Sequence, residues 1–84
     1  MGGYEGWKNR QTWNVALWLN NDEGLYTGMV EYVKTRIKAC KEPTYQGCIK
    51  YLGLSMGSTP DGIAWNGSRL DLKALNEMTR EALE

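Results

Sequence analysis

The chain has no histidine and no phenylalanine, only two cysteines and two prolines, and no net charge: ten Lys plus Arg stand against ten Asp plus Glu. Each shortage closes off a class of function. Without an imidazole, Cys40 and Cys48 cannot complete the four-ligand shell of an ordinary zinc site, so no metal and no cofactor is expected. Nor is there an imidazole to activate a nucleophile. The hydroxyls in Leu54-Ser55-Met56-Gly57-Ser58 have no base beside them, and the G-x-x-x-x-G-K phosphate loop is absent. The expectation is a protein that is not an enzyme. A neutral total lacks the basic footprint of a dedicated nucleic-acid binder, and equally the acidity of a DNA mimic. No apolar run approaches the roughly 18 residues of a membrane span. The opening residues, Met1-Gly2-Gly3-Tyr4-Glu5, lack the basic and apolar layout of a signal peptide. Gly6 stands where a myristoylation pattern needs Ser or Thr. These features read as a cytoplasmic protein with reduced cysteines.

Aromatics of the other two kinds are plentiful, with four tryptophans and five tyrosines in 84 residues. Each buries roughly 150–250 Å², which is how a short chain fills a core and also how it makes an adhesive face. A chain of this length forms one domain near the lower limit of self-sufficiency, where dense packing or dimerisation is expected. Residues 1–8, with Gly2, Gly3 and Gly6, read as a flexible N-terminal arm, and 9–84 as a single helical domain.

The fold class expected is all-α: a compact four-helix domain with a central, Trp-rich first helix and one long loop before the last helix. Asn9 is the N-cap of helix one, accepting a hydrogen bond from the backbone of Gln11 or Thr12. Trp13, Ala16 and Leu17 define one apolar face of that helix, and Val15, Trp18 and Leu19 another, as in a helix surrounded by protein. Asp22 caps helix two, whose inward stripe is Leu25, Met29, Val33, Ile37 and Cys40. Pro43 ends helix two near Lys41 and opens helix three, with Tyr45, Cys48, Ile49, Leu52 and Met56 inward. The breaker cluster Gly57-Ser58-Thr59-Pro60-Asp61-Gly62 is a loop. Asn66-Gly67, between short apolar alternations, leaves residues 63–70 as either a mini-hairpin or an ordered loop. Asp71 caps the last helix, which points Leu72, Leu75, Met78, Ala82 and Leu83 inward.

The opening stretch, Asn9-Arg10-x-Thr12-Trp13-x-Val15-x-Leu17-Trp18-Leu19-x-Asn21-Asp22, resembles a family of short proteins from bacteria, their phages and their plasmids. These share an N-R-x-T-W…L-W-L-x-N-D core. A later segment, here Asp61-Gly62-Ile63-Ala64-Trp65 leading into the helix from Asp71 to Met78, is similar too. The resemblance implies a mobile-element setting, and it carries no catalytic residues.

Two sets of residues stand out. Asn9, Arg10, Trp13, Trp18 and Asp22 read as structural. Arg10 is a cation in the positive first turn of a helix, a poor place for it, so it needs a carboxylate partner, with Asp22 or Glu23 as candidates. Trp7, Trp65, Arg69, Lys34, Lys38 and Lys41 are the candidate binding residues. The two loop tryptophans either fold over the edge of the core or act as exposed interface anchors. The lysines form one stripe on helix two, and Glu77, Glu81 and Glu84 a matching stripe on the last helix. The two could pair within a monomer or across a two-fold axis. The function expected is a small protein-binding module, its partner another protein, host-encoded or its own copy as a homodimer. The alternative is an accessory single-stranded nucleic-acid binder, with Tyr26, Tyr32, Tyr45 and Tyr51 as stacking rings beside the lysines.

Overall fold

A computed structural model describes residues 6–82. Four helices follow in order: α1 (Arg10–Asn21), α2 (Glu23–Lys38), α3 (Tyr45–Tyr51) and α4 (Leu72–Arg80). Each begins at a side chain that accepts an otherwise orphaned backbone N–H of the first turn. Asn9 accepts from Thr12, Asp22 from Leu25, Thr44 from Gly47, and Asp71 from Ala74. Helix three therefore starts at Thr44 rather than in a turn opened by Pro43, which is buried just outside it. Residues 1–5 of the expected arm and the inward placement of Leu83 fall outside the described residues, as does Glu84.

The apolar core gathers Val15, Ala16 and Leu19 of α1, Met29, Val30, Tyr32 and Val33 of α2, Tyr45, Cys48 and Ile49 of α3, and Leu75 of α4, with Trp65 and Leu70 from the loop. Helix α2 touches each of the other three helices. Helix α1 lies against α2 on one side and is tied to the long loop on the other, so its burial on two sides is shared between a helix and a loop. Its buried residues are Thr12, Asn14, Val15, Ala16 and Leu19. Trp13 and Trp18, expected in the core, are only half-buried. An indole is rarely swallowed whole, and the smaller neighbours take the inward positions while the rings lie along the flanks.

Two stripes end sooner than their periodicity suggests. On α2, Met29 and Val33 are fully buried, but Ile37 is 48% exposed and Cys40 lies on the surface. On α3, the helix stops at Tyr51 and Met56 projects into solvent, 99% exposed. In both cases the helix or its extension outruns the elements that could cover it. Helix α2 closes with the N–H of Cys40 donating to the Ile37 carbonyl and that of Lys41 to Arg36. This is a Schellman end, with Cys40 in the left-handed position at φ 59°. Helix α3 closes in the same way, with Gly53 in that position.

Of the two alternatives for residues 63–70, the ordered loop is found, and the hairpin-like pairing lies around an earlier turn. Chain reversal occurs at Pro60-Asp61-Gly62, where the Gly62 N–H donates to the Thr59 carbonyl and Gly62 takes φ +87°. Flanking it, Thr59 N–H reaches the Ile63 carbonyl, Trp65 N–H reaches the Gly57 carbonyl, and Ser58 bridges Ala64. Proline preset for the turn, aspartate after it and a glycine for the left-handed residue make a stronger signal than Asn66-Gly67. The single bridge is the only β pairing among the described residues, which contain no strand. No described helix is long and apolar enough to cross a membrane.

Candidate protein-contact site

Several polar residues of the opening stretch are bonded within the fold. Asn9 accepts both the backbone N–H and the hydroxyl of Thr12, at 2.9 and 2.7 Å, and its amide donates to the Arg69 carbonyl at 2.7 Å. Thr12, fully buried, accepts the N–H of Asp71 at 2.9 Å, and Asp71 in turn caps α4. One hydroxyl thus ties the start of α1 to the start of α4. Asn14, 1% exposed, takes the Thr59 hydroxyl at 2.7 Å and donates to the Asp61 carboxylate at 2.8 Å. Trp18 donates its indole N–H to the same carboxylate at 3.1 Å. The hydrogen bonds from Asn14 and Trp18 hold the Asp61 carboxyl below its ordinary range. Slight desolvation opposes them and the nearby Arg10 charge assists. The two sequence segments that carry the family resemblance are therefore each other's partners, the loop segment clamped to the helix by directional bonds.

Arg10 does not meet Asp22 or Glu23. Helix α1 is 12 residues long, about 18 Å, and holds them at opposite ends. Asp61, delivered by the loop, is the carboxylate whose charge Arg10 feels. Asp22 serves both helices it joins, its N–H donating to the Trp18 carbonyl and its side chain capping α2.

The candidate binding residues are not brought together. Trp65 is 3% exposed and belongs to the core. Its carbonyl accepts the hydroxyl of the fully buried Tyr45 at 2.5 Å, so its ring is not offered to a partner. The Tyr45 hydroxyl titrates well above its ordinary range because burial penalises the anion, and the neighbouring Cys48 thiol is pushed up to about 12 for the same reason. Cys48 is an inert core residue. Arg69 is exposed on the loop, above a groove of about 220 Å³ floored by Ile63, Ala64 and Leu70. Lys34, Lys38 and Lys41 are exposed on the outer side of α2 and its end. They do not pair with the acidic residues of α4 inside the molecule. Among the described residues the one ion pair joins Arg80 to Glu42, at 2.8 Å.

Trp7 is placed differently. It is half-buried, packs against the core, and forms the wall shared by two neighbouring grooves. One, about 360 Å³, runs along α4 past Ala74, Glu77, Met78 and Glu81. The other, about 250 Å³, runs along α1 past Trp13, Ala16, Leu17 and Asn20. Asn20 and Met78 join the two floors, with the amide nitrogen 3.4 Å from the thioether sulfur. Linings of mixed polar and apolar character flank an indole, and two carboxylates line the larger groove. The sequence singles out Trp7 and the Glu77–Glu81 stripe separately, and nothing in it places the two beside one groove; Met78 packs against the core as expected.

Two chemical points complete the survey. Among the described residues no group of three or more Cys, Asp or Glu side chains is placed to hold a metal ion. Gly53-Leu54-Ser55-Met56-Gly57 matches the letters G-x-S-x-G, a correction to the lack of catalytic patterns expected from sequence. A nucleophile elbow needs a sharp strand-to-helix turn and a histidine partner. Here the pentapeptide leaves the end of α3 for an irregular loop, in a chain with no histidine.

Fold and site together define a small all-α protein with a helix-flanked surface cleft and a polar clamp inside. The chain belongs to DUF7249, a family of unknown function, whose model matches residues 1–84. No curated protein and no solved structure matches it.

Proposed function

We propose that this protein is a small, non-catalytic protein-binding module whose contact surface is the pair of grooves meeting at Trp7. The observation that carries the reading is that indole: half-buried, standing between two shallow grooves of mixed polar and apolar lining, one of them lined by Glu77 and Glu81. Interface anchors are enriched in tryptophan, which a partner would desolvate fully on binding. The carboxylates select a partner segment with an apolar side chain beside Lys or Arg, through complementary charge. The resemblance to short phage and plasmid proteins suggests a bacterial or infected-cell cytoplasm and a host-encoded partner.

Selection from a random peptide library on the immobilised protein tests this. Peptides with an apolar residue flanked by basic ones should be enriched. Ala74→Arg, which fills the larger groove and adds a like charge, should weaken them by at least tenfold. A library that yields no such peptides, or peptides indifferent to Ala74→Arg, overturns the reading.

An accessory single-strand binder is the second reading. It is favoured by Tyr51, which is 54% exposed, with its ring centroid 5.6 Å from that of Tyr32 and Arg36 lying over the latter. Labelled single-stranded DNA titrated at low salt separates the two: loss of binding in Tyr51→Ala supports this reading, and no binding by the wild type removes it.

A further inference from the structure

Resting on the protein-contact reading above, we infer that the partner segment which fills the Trp7 groove is the C-terminal part of α2 from a second copy of this chain.

The groove asks for an apolar side chain set among lysines, and the chain carries that arrangement on its own surface. Ile37 is one of the few large apolar side chains left in solvent, 48% exposed toward the end of a stripe in which Met29 and Val33 are fully buried. Lys34, Lys38 and Lys41 stand three residues before it and one and four after it, all exposed. On a helix the residues three and four away share its face, so Lys34 lies on the face of Ile37, while Lys41 follows the end of α2 at Lys38. The last of them sits just past the Schellman end, whose left-handed Cys40 turns the chain back.

Among the described residues the complementary surface is equally uncommitted. Glu77 and Glu81 are exposed and line the groove. No described cation stands within ion-pair distance of either, and the neighbouring Arg80 pairs with Glu42. Within one molecule the basic and acidic faces thus remain separate, each with an apolar centre: Ile37 on one, and Trp7 with Met78 on the other. A face of this kind joins its complement on another copy, and when the contact is made twice about a two-fold axis the assembly closes as a dimer. Neutral net charge removes the long-range repulsion that would oppose self-association.

A charge swap tests it. All the residues changed are exposed, so folding is retained, and the melting curve of each variant verifies that. In sedimentation velocity at low salt the wild-type chain should dimerise, and should dissociate as salt is raised. Two variants, Lys34→Glu/Lys38→Glu and Glu77→Lys/Glu81→Lys, should each weaken self-association at least tenfold. Mixed together they should form a heterodimer, because both of its contacts are again between opposite charges. Ile37→Asp should weaken the dimer without any change of lysine. A wild type that stays monomeric at every concentration and salt overturns the inference, as does a dimer untouched by the swaps or a mixture that fails to associate. In those cases library peptides that still fill the groove leave the protein-contact reading standing, and peptides that do not remove both.

Discussion

Where α2, α3 and α4 meet, the molecule is held by Met29, Val33, Ile49 and Leu75, all essentially without solvent contact. Where α1 meets the loop from 57 to 71, it is held by an amide, two hydroxyls, an indole N–H and one carboxylate. The apolar seam is non-directional and stabilises in proportion to the area hidden from water. The polar seam adds less net energy per contact but dictates register, since every donor has one acceptor. A half-broken polar contact costs more than the intact one contributes. Of the residues that carry the resemblance, Thr12, Trp18 and Asp61 lie in the polar seam and Val15, Leu19 and Trp65 in the apolar core.

The largest expected effect lies in the apolar seam. Leu75→Ala should destabilise by about 2–5 kcal/mol, the range for a leucine deleted from a core that relaxes only in part. Urea unfolding measures it, and its size should be the same at mildly acid and neutral pH. Asn14→Ala comes next, at about 1–3 kcal/mol, because the buried Thr59 hydroxyl loses its acceptor and Asp61 loses a donor. Paired with Thr59→Ala it should be non-additive, whereas paired with Leu75→Ala it should add. Additivity in the first pair would mean that the polar seam is not a unit.

A smaller effect separates the seams by pH. The folded Asp61 carboxyl is held below its ordinary range, chiefly by the bonds from Asn14 and Trp18. Its contribution is therefore present in full above the unfolded value of about 4. It is lost as pH falls through the lower folded value. The urea midpoint should decline over that acid window in the wild type, and Asp61→Asn should remove that part of the decline. An unchanged profile would place the acid sensitivity elsewhere.

The smallest change is a gain. Cys40 occupies the left-handed position at the end of α2 that Gly53 occupies at the end of α3. A side chain there costs about 1–2 kcal/mol in strain. Glycine's greater freedom when unfolded offsets part of that, so Cys40→Gly should raise stability by about 1 kcal/mol in a thermal melt. The site is exposed and remote from both seams, so its effect should add to theirs.

Sequence reading succeeded where the physics is local. Asn9, Asp22 and Asp71 were recognisable as caps because a cap acts on an N–H three residues ahead. The turn at Pro60-Asp61-Gly62 is just as local: its breaker residues read as a loop, but that they pair the chain on either side is not written in them. The candidate site was only partly readable. Trp7 stood out as an aromatic in an irregular stretch, whereas its α4 wall is made of residues that look like an ordinary amphipathic helix.

By itself, then, the amino-acid order determined four helices, three of their starting caps and the capacity for a small apolar core. Tertiary structure alone decided that Trp65 is buried while Trp13 and Trp18 lie half open, that Ile37 and Met56 are left in water, and that Arg10 stands near Asp61 rather than Asp22. Capping and periodicity are settled by neighbours a turn away along the chain. Burial and charge partnership depend on which distant segment arrives to cover each face, and nothing within one helix specifies where that cover ends.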